Sequence, residues 1–464
     1  MLFNSSEFLL FLPVTLLLFW GLRGSVKWQN IVLLVASYIF YGWWDERFLT
    51  LIAISTLVDY YAGLKIHSSD KKKLWLGLSI VVNLGLLGFF KYYNFFVTSW
   101  VEAWATVGIT MQPATLQIIL PVGISFYTFQ TMSCSLDIYK GKLQPTKDIV
   151  AFAAFVSFFP QLVAGPIERA TNLLPQILNK RTVNSFEIKA GLKQIVFGLF
   201  KKVVIADSLA VFVNDCFSNY QELSGATLAL GAVFFAFQIY GDFSGYSDIA
   251  IGTARLFGFQ LMSNFRFPYF SRNVGEFWRR WHISLSTWFR DYVYIPLGGS
   301  KEGRLKAVRN IFIVFIVSGF WHGANYTYIV WGGIHALMFV PLYIWGVHRK
   351  FKAAADAKTG LSILKNLGRV LFTFTVVTLA WVFFRAETVK QAWIYLDRII
   401  SHWKGEWLNL EGLVFVGLMV LTDWLNRKDE RNLSAHRVWF YLMLLLVILR
   451  WQDSGETQFI YFQF

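Results

Sequence analysis

Charge is scarce in this chain of 464 residues: 15% of them are charged, against 56% hydrophobic and 19% aromatic. A soluble protein of this size would have too little polar surface to cover its apolar side chains, so the composition points to a polytopic membrane protein. Cysteine is scarcer still. Cys134 and Cys216 are the two, far apart in apolar or mixed surroundings, which excludes a disulfide framework and a cysteine metal motif. Positive charge is missing from the opening MLFNSSE, and no small-residue cleavage site follows the next apolar run. Residues 8–22 are therefore expected to be a retained membrane helix rather than a signal peptide. HExxH, a P-loop and a GxSxG elbow are all absent. With no internal repeat and no low-complexity tract, the expectation is a single domain over residues 1–464.

Base outweighs acid, for a net charge of +15 at pH 7. The basic residues sit in short clusters between apolar runs, which is the pattern of cytoplasmic loops and not of a nucleic-acid-binding face. The expected partner is the lipid bilayer, with no nucleic acid. A helix needs roughly 30 Å, at ~1.5 Å per residue, to cross hydrocarbon. On that measure spans are predicted at 8–22, 28–44, 47–64, 74–97, 114–136, 226–256, 309–324, 326–347, 369–385, 411–426 and 437–451. The predicted class is all-α, with about 11 transmembrane helices, and with 98–112, 148–165 and 189–215 as re-entrant or interfacial segments. Basic clusters at Lys71–Lys73, Arg279–Arg309, Arg349–Arg369 and Arg427–Arg431 are assigned to the cytoplasm, which leaves both termini extracytoplasmic. The topology of 140–225 does not follow from this rule.

The stretch 264–335 is the predicted functional core. It holds His282, His322 and His335, three of seven histidines, and passes from a basic aromatic segment into apolar runs. Ionisable groups are costly in hydrocarbon, so a histidine ending an apolar run is a candidate site residue. His322 follows Arg309 by 13 residues, about 20 Å along a helix, in a span interrupted by Gly319 and Gly323. A group at that depth is reached from outside through a funnel and from the cytoplasm through a tunnel. It can serve as a general base, since neutral imidazole has a pKa near 6.5, or pack between helices; Ser318, Trp321 and Asn325 stand nearby in sequence. His282, in RRWHISLSTW, can orient a substrate, or can belong to an interfacial helix anchored by Trp278, Trp281, Trp288 and Arg279–Arg280. His335, after Trp-Gly-Gly, is read as structural. The histidine spacings of 40 and 13 residues match no helical ligand pair, so no metal is expected.

The Gly298-Gly299-Ser300 turn is followed by Lys301, Arg304, Lys306 and Arg309, which can hold the phosphates of a nucleotide-like group or act only as topogenic charges. Asp59, Asp242 and Asp248 fall inside apolar runs, where each needs a partner or a water-filled cavity. The tail at 452–464 ends in FIYFQF, four aromatics in six residues, and is expected to insert into an apolar groove.

Six segments resemble the membrane-bound O-acyltransferase family, and within it a bacterial alginate O-acetyltransferase branch. They are LPVGISFYTFQ (120–130), FFPQLVAGPIER (158–169), QIYGDFSGYSDIAIG (238–252), FWRRWHISLSTWFRDYVYIPLGGS (277–300), SGFWHGANYTYIVWGGIHA (318–336) and the terminal FIYFQF. The resemblance implies an O-acetyltransferase of the bacterial cytoplasmic (inner) membrane with no tightly bound cofactor. Acetyl-CoA would be the cytoplasmic donor substrate. The acceptor would be an extracytoplasmic polysaccharide, of alginate type or else cellulose or peptidoglycan, reached through a periplasmic or extracellular acetyltransferase partner protein. A relative serves D-alanylation of teichoic acids. His322 falls on the family's catalytic histidine, as general base, and His282 matches the histidine form of the other signature position. Arg304, Lys306 and Arg309 would meet the donor's phosphates. Tyr461, in a motif that ends a small partner peptide in the teichoic-acid system, would be an acyl relay. A phenol (pKa ≈ 10) lies near a thiol (≈ 8.5) as a leaving group, so a tyrosyl ester retains much of a thioester's transfer potential. Two other classes stay open: a polysaccharide or acyl-group transporter, and a non-catalytic scaffold of a secretion complex.

Overall fold

The fold was obtained as a computed structural model, which describes residues 1–163, 165–347, 360–405, 409–427, 437–451 and 459–460. Among the described residues every regular element is a helix. Six are long and apolar enough to cross a membrane: Glu46–Ser68, Lys72–Ala105, Gly225–Leu256, Arg304–His322, Tyr326–Ile344 and Ser362–Arg385. Ser6–Gly21, Ile149–Leu162 and Val438–Trp451 are shorter apolar helices. The expected spans at 28–44 and 411–426 correspond to the helices Val26–Gly42 and Leu410–Asn426.

The span expected from 369 starts earlier, at Gly360, and that expected from 309 starts at Arg304; two further boundaries differ. The span expected over 114–136 begins only at Ile124. Pro121 cannot donate a backbone hydrogen bond, and Gly123 turns the chain with φ 76°, a left-handed conformation that glycine adopts without steric cost. The second concerns the residues expected to part at 97–98. They run on instead as one rod of 34 residues, Lys72–Ala105, widened by a π-turn at Gly88–Tyr92.

The described chain packs as two compact units, residues 1–192 with 250–262, and residues 193–249 with 263–464. In the first, apolar helices are tied by buried polar contacts. Of the two alternatives open for Asp59, the structure shows partners: it accepts from Ser79, from Asn83 Nδ2 at 2.7 Å and from Ser135 Oγ at 3.2 Å. Arg181 Nη2 donates to Asn30 Oδ1 at 2.6 Å, with its guanidinium over the Phe259 ring. Inter-helix bonds such as those of Asp59 contribute roughly 0.6–2 kcal/mol each in an apolar medium.

The second unit carries the whole of 264–335. Its central feature is an antiparallel pair, Arg304–His322 and Tyr326–Ile344, joined by three residues. The two backbones meet at Gly319 and Gly332. A Cβ on Gly319 would strike the Tyr328 carbonyl, and one on Gly332 would strike that of Phe315. Small residues at such crossings let membrane helices approach closely, and here the crossing lies one turn before His322. Asp242 and Asp248, the other two acids singled out in apolar runs, are answered by lysine. Lys201 Nζ meets Asp248 at 2.9 Å, and Lys202 Nζ meets Asp207 at 2.7 Å and Asp242 at 2.8 Å.

Candidate active site

His322 is the last residue of its helix, followed by Gly323 in extended conformation. Asn325 is not aimed at it: its Oδ1 caps the next helix at Thr327 N, and its Nδ2 donates to the Glu387 carbonyl. The His322 ring instead stands among aromatics, with centroids 5.0 Å from Trp321, 5.3 Å from Trp331 and 5.3 Å from Phe384, and is 2% exposed. An apolar wall of this kind excludes water and strengthens every charge interaction inside it.

His282 lies 6.3 Å from His322, centroid to centroid, although 40 residues separate them in sequence. At that spacing one oxygen can hydrogen-bond to both rings. His282 joins the short helices Val274–Arg280 and Ile283–Phe289, and it does so with φ 41°, a left-handed conformation. A non-glycine residue held there costs on the order of 1–3 kcal/mol. Asn264 holds the turn in place. Its carbonyl accepts from Ile283 N at 2.9 Å, and its Oδ1 accepts from Ser284 Oγ at 2.9 Å and from Ser284 N at 3.3 Å. The same Oδ1 faces His282 Nδ1 at 3.1 Å. Since Oδ1 is an acceptor, Nδ1 carries the hydrogen, and the neutral ring keeps its lone pair on Nε2. His282 lies outside the six candidate spans, and its burial pushes the imidazole down to about 3, so it is neutral at physiological pH.

His335 belongs to the packing around this pair. Its Nδ1 accepts from Trp278 Nε1 at 3.3 Å, and its ring is parallel to those of Phe277 and Phe315.

A cavity of about 530 Å³ is lined by residues that include Trp278, Arg279, Ile283, Arg290, Ser300, Phe315 and Ser318. Its volume suits a small-molecule ligand. Ser318 is four residues before His322, so on a helix the cavity reaches the same face one turn below the imidazole. The cations that line it are Arg279 and Arg290, not the sequence candidates Arg304, Lys306 and Arg309. Lys306 pairs with Glu302 at 3.0 Å and Arg309 donates to Asn310. Ser300, from the predicted glycine turn, does line the cavity.

The tail is inserted as expected over the two residues described. Phe459 is fully buried, its ring 4.3 Å from Tyr246 and 6.0 Å from Phe243, and the Ile460 amide donates to Asp242 Oδ2 at 2.6 Å. Phe243 in turn packs edge-on against His282 at 4.6 Å. Tyr461 lies outside the described residues.

Sequence reasoning had singled out neither Asn264 and Ser284 as the holders of His282, nor Arg279 and Arg290 as cavity residues.

The defining pattern of MBOAT, the membrane-bound O-acyltransferase family, matches residues 145–384. The probable alginate O-acetylase AlgI of Pseudomonas aeruginosa is 43% identical over 434 residues, covering 91% of this chain and 80% of the relative. The peptidoglycan O-acetyltransferase of Helicobacter pylori is 36% identical over 487 residues, covering 97% and 88%. The teichoic acid D-alanyltransferase of Bacillus subtilis is 29% identical over 269 residues, covering 55% and 68%.

Proposed function

The chain belongs to the membrane-bound O-acyltransferase family, and we propose that it takes an acetyl group from a cytoplasmic thioester and delivers it outward for O-acetylation of an extracytoplasmic polysaccharide. The observation that carries this reading is the pair of buried histidines, 6.3 Å apart, with a cavity that reaches Ile283 next to His282 and Ser318 one turn from His322, and that two arginines also line. In this reading acetyl-CoA places its acetyl thioester near Ser318, with Arg279 and Arg290 toward its phosphates, for which a guanidinium is the fitting donor. His322 removes the proton of an attacking hydroxyl, whose oxygen forms the new C–O bond. The C–S bond breaks, and the thiolate leaves with the proton that His322 took up. His282, with its lone pair on Nε2, orients the acceptor above His322. Among the relatives, alginate and peptidoglycan O-acetylation appear by name. An alginate-type polymer, reached through a periplasmic partner protein, is the acceptor we favour.

We further propose that Tyr461 is the first acceptor. It directly follows Ile460, whose amide is bound beside Phe243 and so one ring away from His282. The relay joins the two sides of the bilayer without requiring the polymer to reach the cytoplasm.

The donor assignment is tested with purified protein in proteoliposomes, with acetyl-CoA supplied on one side only. Molecules whose basic loops face the donor should turn over, and detergent should release the latent remainder. Arg279→Ala and Arg290→Ala should each raise KM for acetyl-CoA by about tenfold, or ~1.4 kcal/mol, with a smaller change in kcat, because a remote phosphate contact is made equally before and in the transition state. An unchanged KM in both variants would remove the arginines from the donor site.

A further inference from the structure

Lys202 and its carboxylates play no part in the chemistry described so far, yet they are among the most deeply buried charges in the chain. The side chains of Lys202, Asp242 and Asp207 are 2%, 4% and 8% exposed. Lys202 bridges the two carboxylates, and the buried Asp242 carboxylate needs its second oxygen answered as well. The tail supplies a donor for it, since the Ile460 amide binds Asp242 Oδ2.

We infer that Lys202, Asp207 and Asp242 form a clamp that docks the C-terminal tail beside the histidine pair and sets its register, acting as positioning residues for the transfer. Asp242 binds a backbone N–H, and the Phe459 ring, seated against Tyr246 and Phe243, decides which residue of the tail offers it. Its neighbour Phe243 touches Phe459 on one side and His282 on the other. A shift of one residue would change the reach of the following side chain by a Cα step of about 3.8 Å, more than a proton transfer tolerates. The lysines come from a π-turn, Phe200–Ala206, in which both Lys201 and Lys202 are buried. Insertions of this kind recur at functional sites. The link to transfer rests on the relay reading above; the docking does not.

The test uses the full-length chain in nanodiscs, with hydrogen exchange of the tail followed by mass spectrometry. Asp242→Ala removes the acceptor. Ile460→Pro removes the donor and leaves the charges paired, so it decides the matter if Asp242→Ala fails to fold. Each variant should speed exchange over 459–464 by at least tenfold. With acetyl-CoA added, acetyl found on the tail per thioester consumed should also fall at least tenfold, a ratio that simple loss of folded protein leaves alone. Wild-type exchange in folded Ile460→Pro overturns the clamp. Faster exchange with an unchanged ratio upholds the docking and overturns the clamp's role in positioning the transfer, whereas a wild-type tail that gains no acetyl overturns the relay.

Discussion

Replacing His322 by alanine is expected to lower polymer acetylation in cells by 10²- to 10⁴-fold, the usual worth of a positioned general base, while the protein stays in the membrane at wild-type level. Removing the ring opens a space among Trp321, Trp331 and Phe384, so some loss of stability accompanies the change. His322→Gln separates the two effects. It fills much of the space and keeps hydrogen-bonding capacity but has no basic nitrogen, and it should be as inactive as alanine while more stable. Ester content of the secreted polymer, set against protein level in the same cells, is the measurement. A non-catalytic scaffold would instead leave acetylation intact in both variants.

Tyr461→Phe should have a comparable effect on the polymer for a different reason. Phenylalanine keeps the ring that an apolar groove would hold and deletes the one oxygen that can carry an ester. Tail docking through the Ile460 amide is untouched by the change, since that bond is made by the backbone. The variant should therefore retain the slow exchange of its tail while polymer acetylation collapses. Mass analysis of the wild-type tail during turnover should find one acetyl on the peptide that contains Tyr461, and none in the variant. Full polymer acetylation by Tyr461→Phe would show that the acetyl group leaves by another path.

The helices were largely legible because uninterrupted apolar length is the strongest signal a chain can carry. The error at 114–136 has a local cause. Apolar residues on both sides of Pro121 masked the break that Pro121 and Gly123 impose. His322 stood out because ionisable groups are rare in apolar runs, and His282 because its sequence surroundings explained the aromatics and arginines but not the imidazole. Their meeting was not legible from spacing, since it depends on a left-handed turn at His282 that sequence gives no reason to expect of a histidine. Asn264 was equally hidden. It contacts Ser284, 20 residues later, and nothing local marks it as a clamp. The basic residues around 279–309 were readable as a cluster, whereas which of them line the cavity depends on helix phase, which the π-turn at Arg290–Tyr294 alters. The carboxylates at 242 and 248 were readable as needing partners, but the lysines that answer them lie 40 and 47 residues away.

The most direct measurement is thioester turnover by purified wild-type protein and His322→Ala in nanodiscs, with acetyl-CoA as donor and released thiol as readout. With His322 as the base, the wild type releases thiol and the variant is at least 100-fold slower, in line with the worth of a general base. Equal turnover by the two proteins would contradict it.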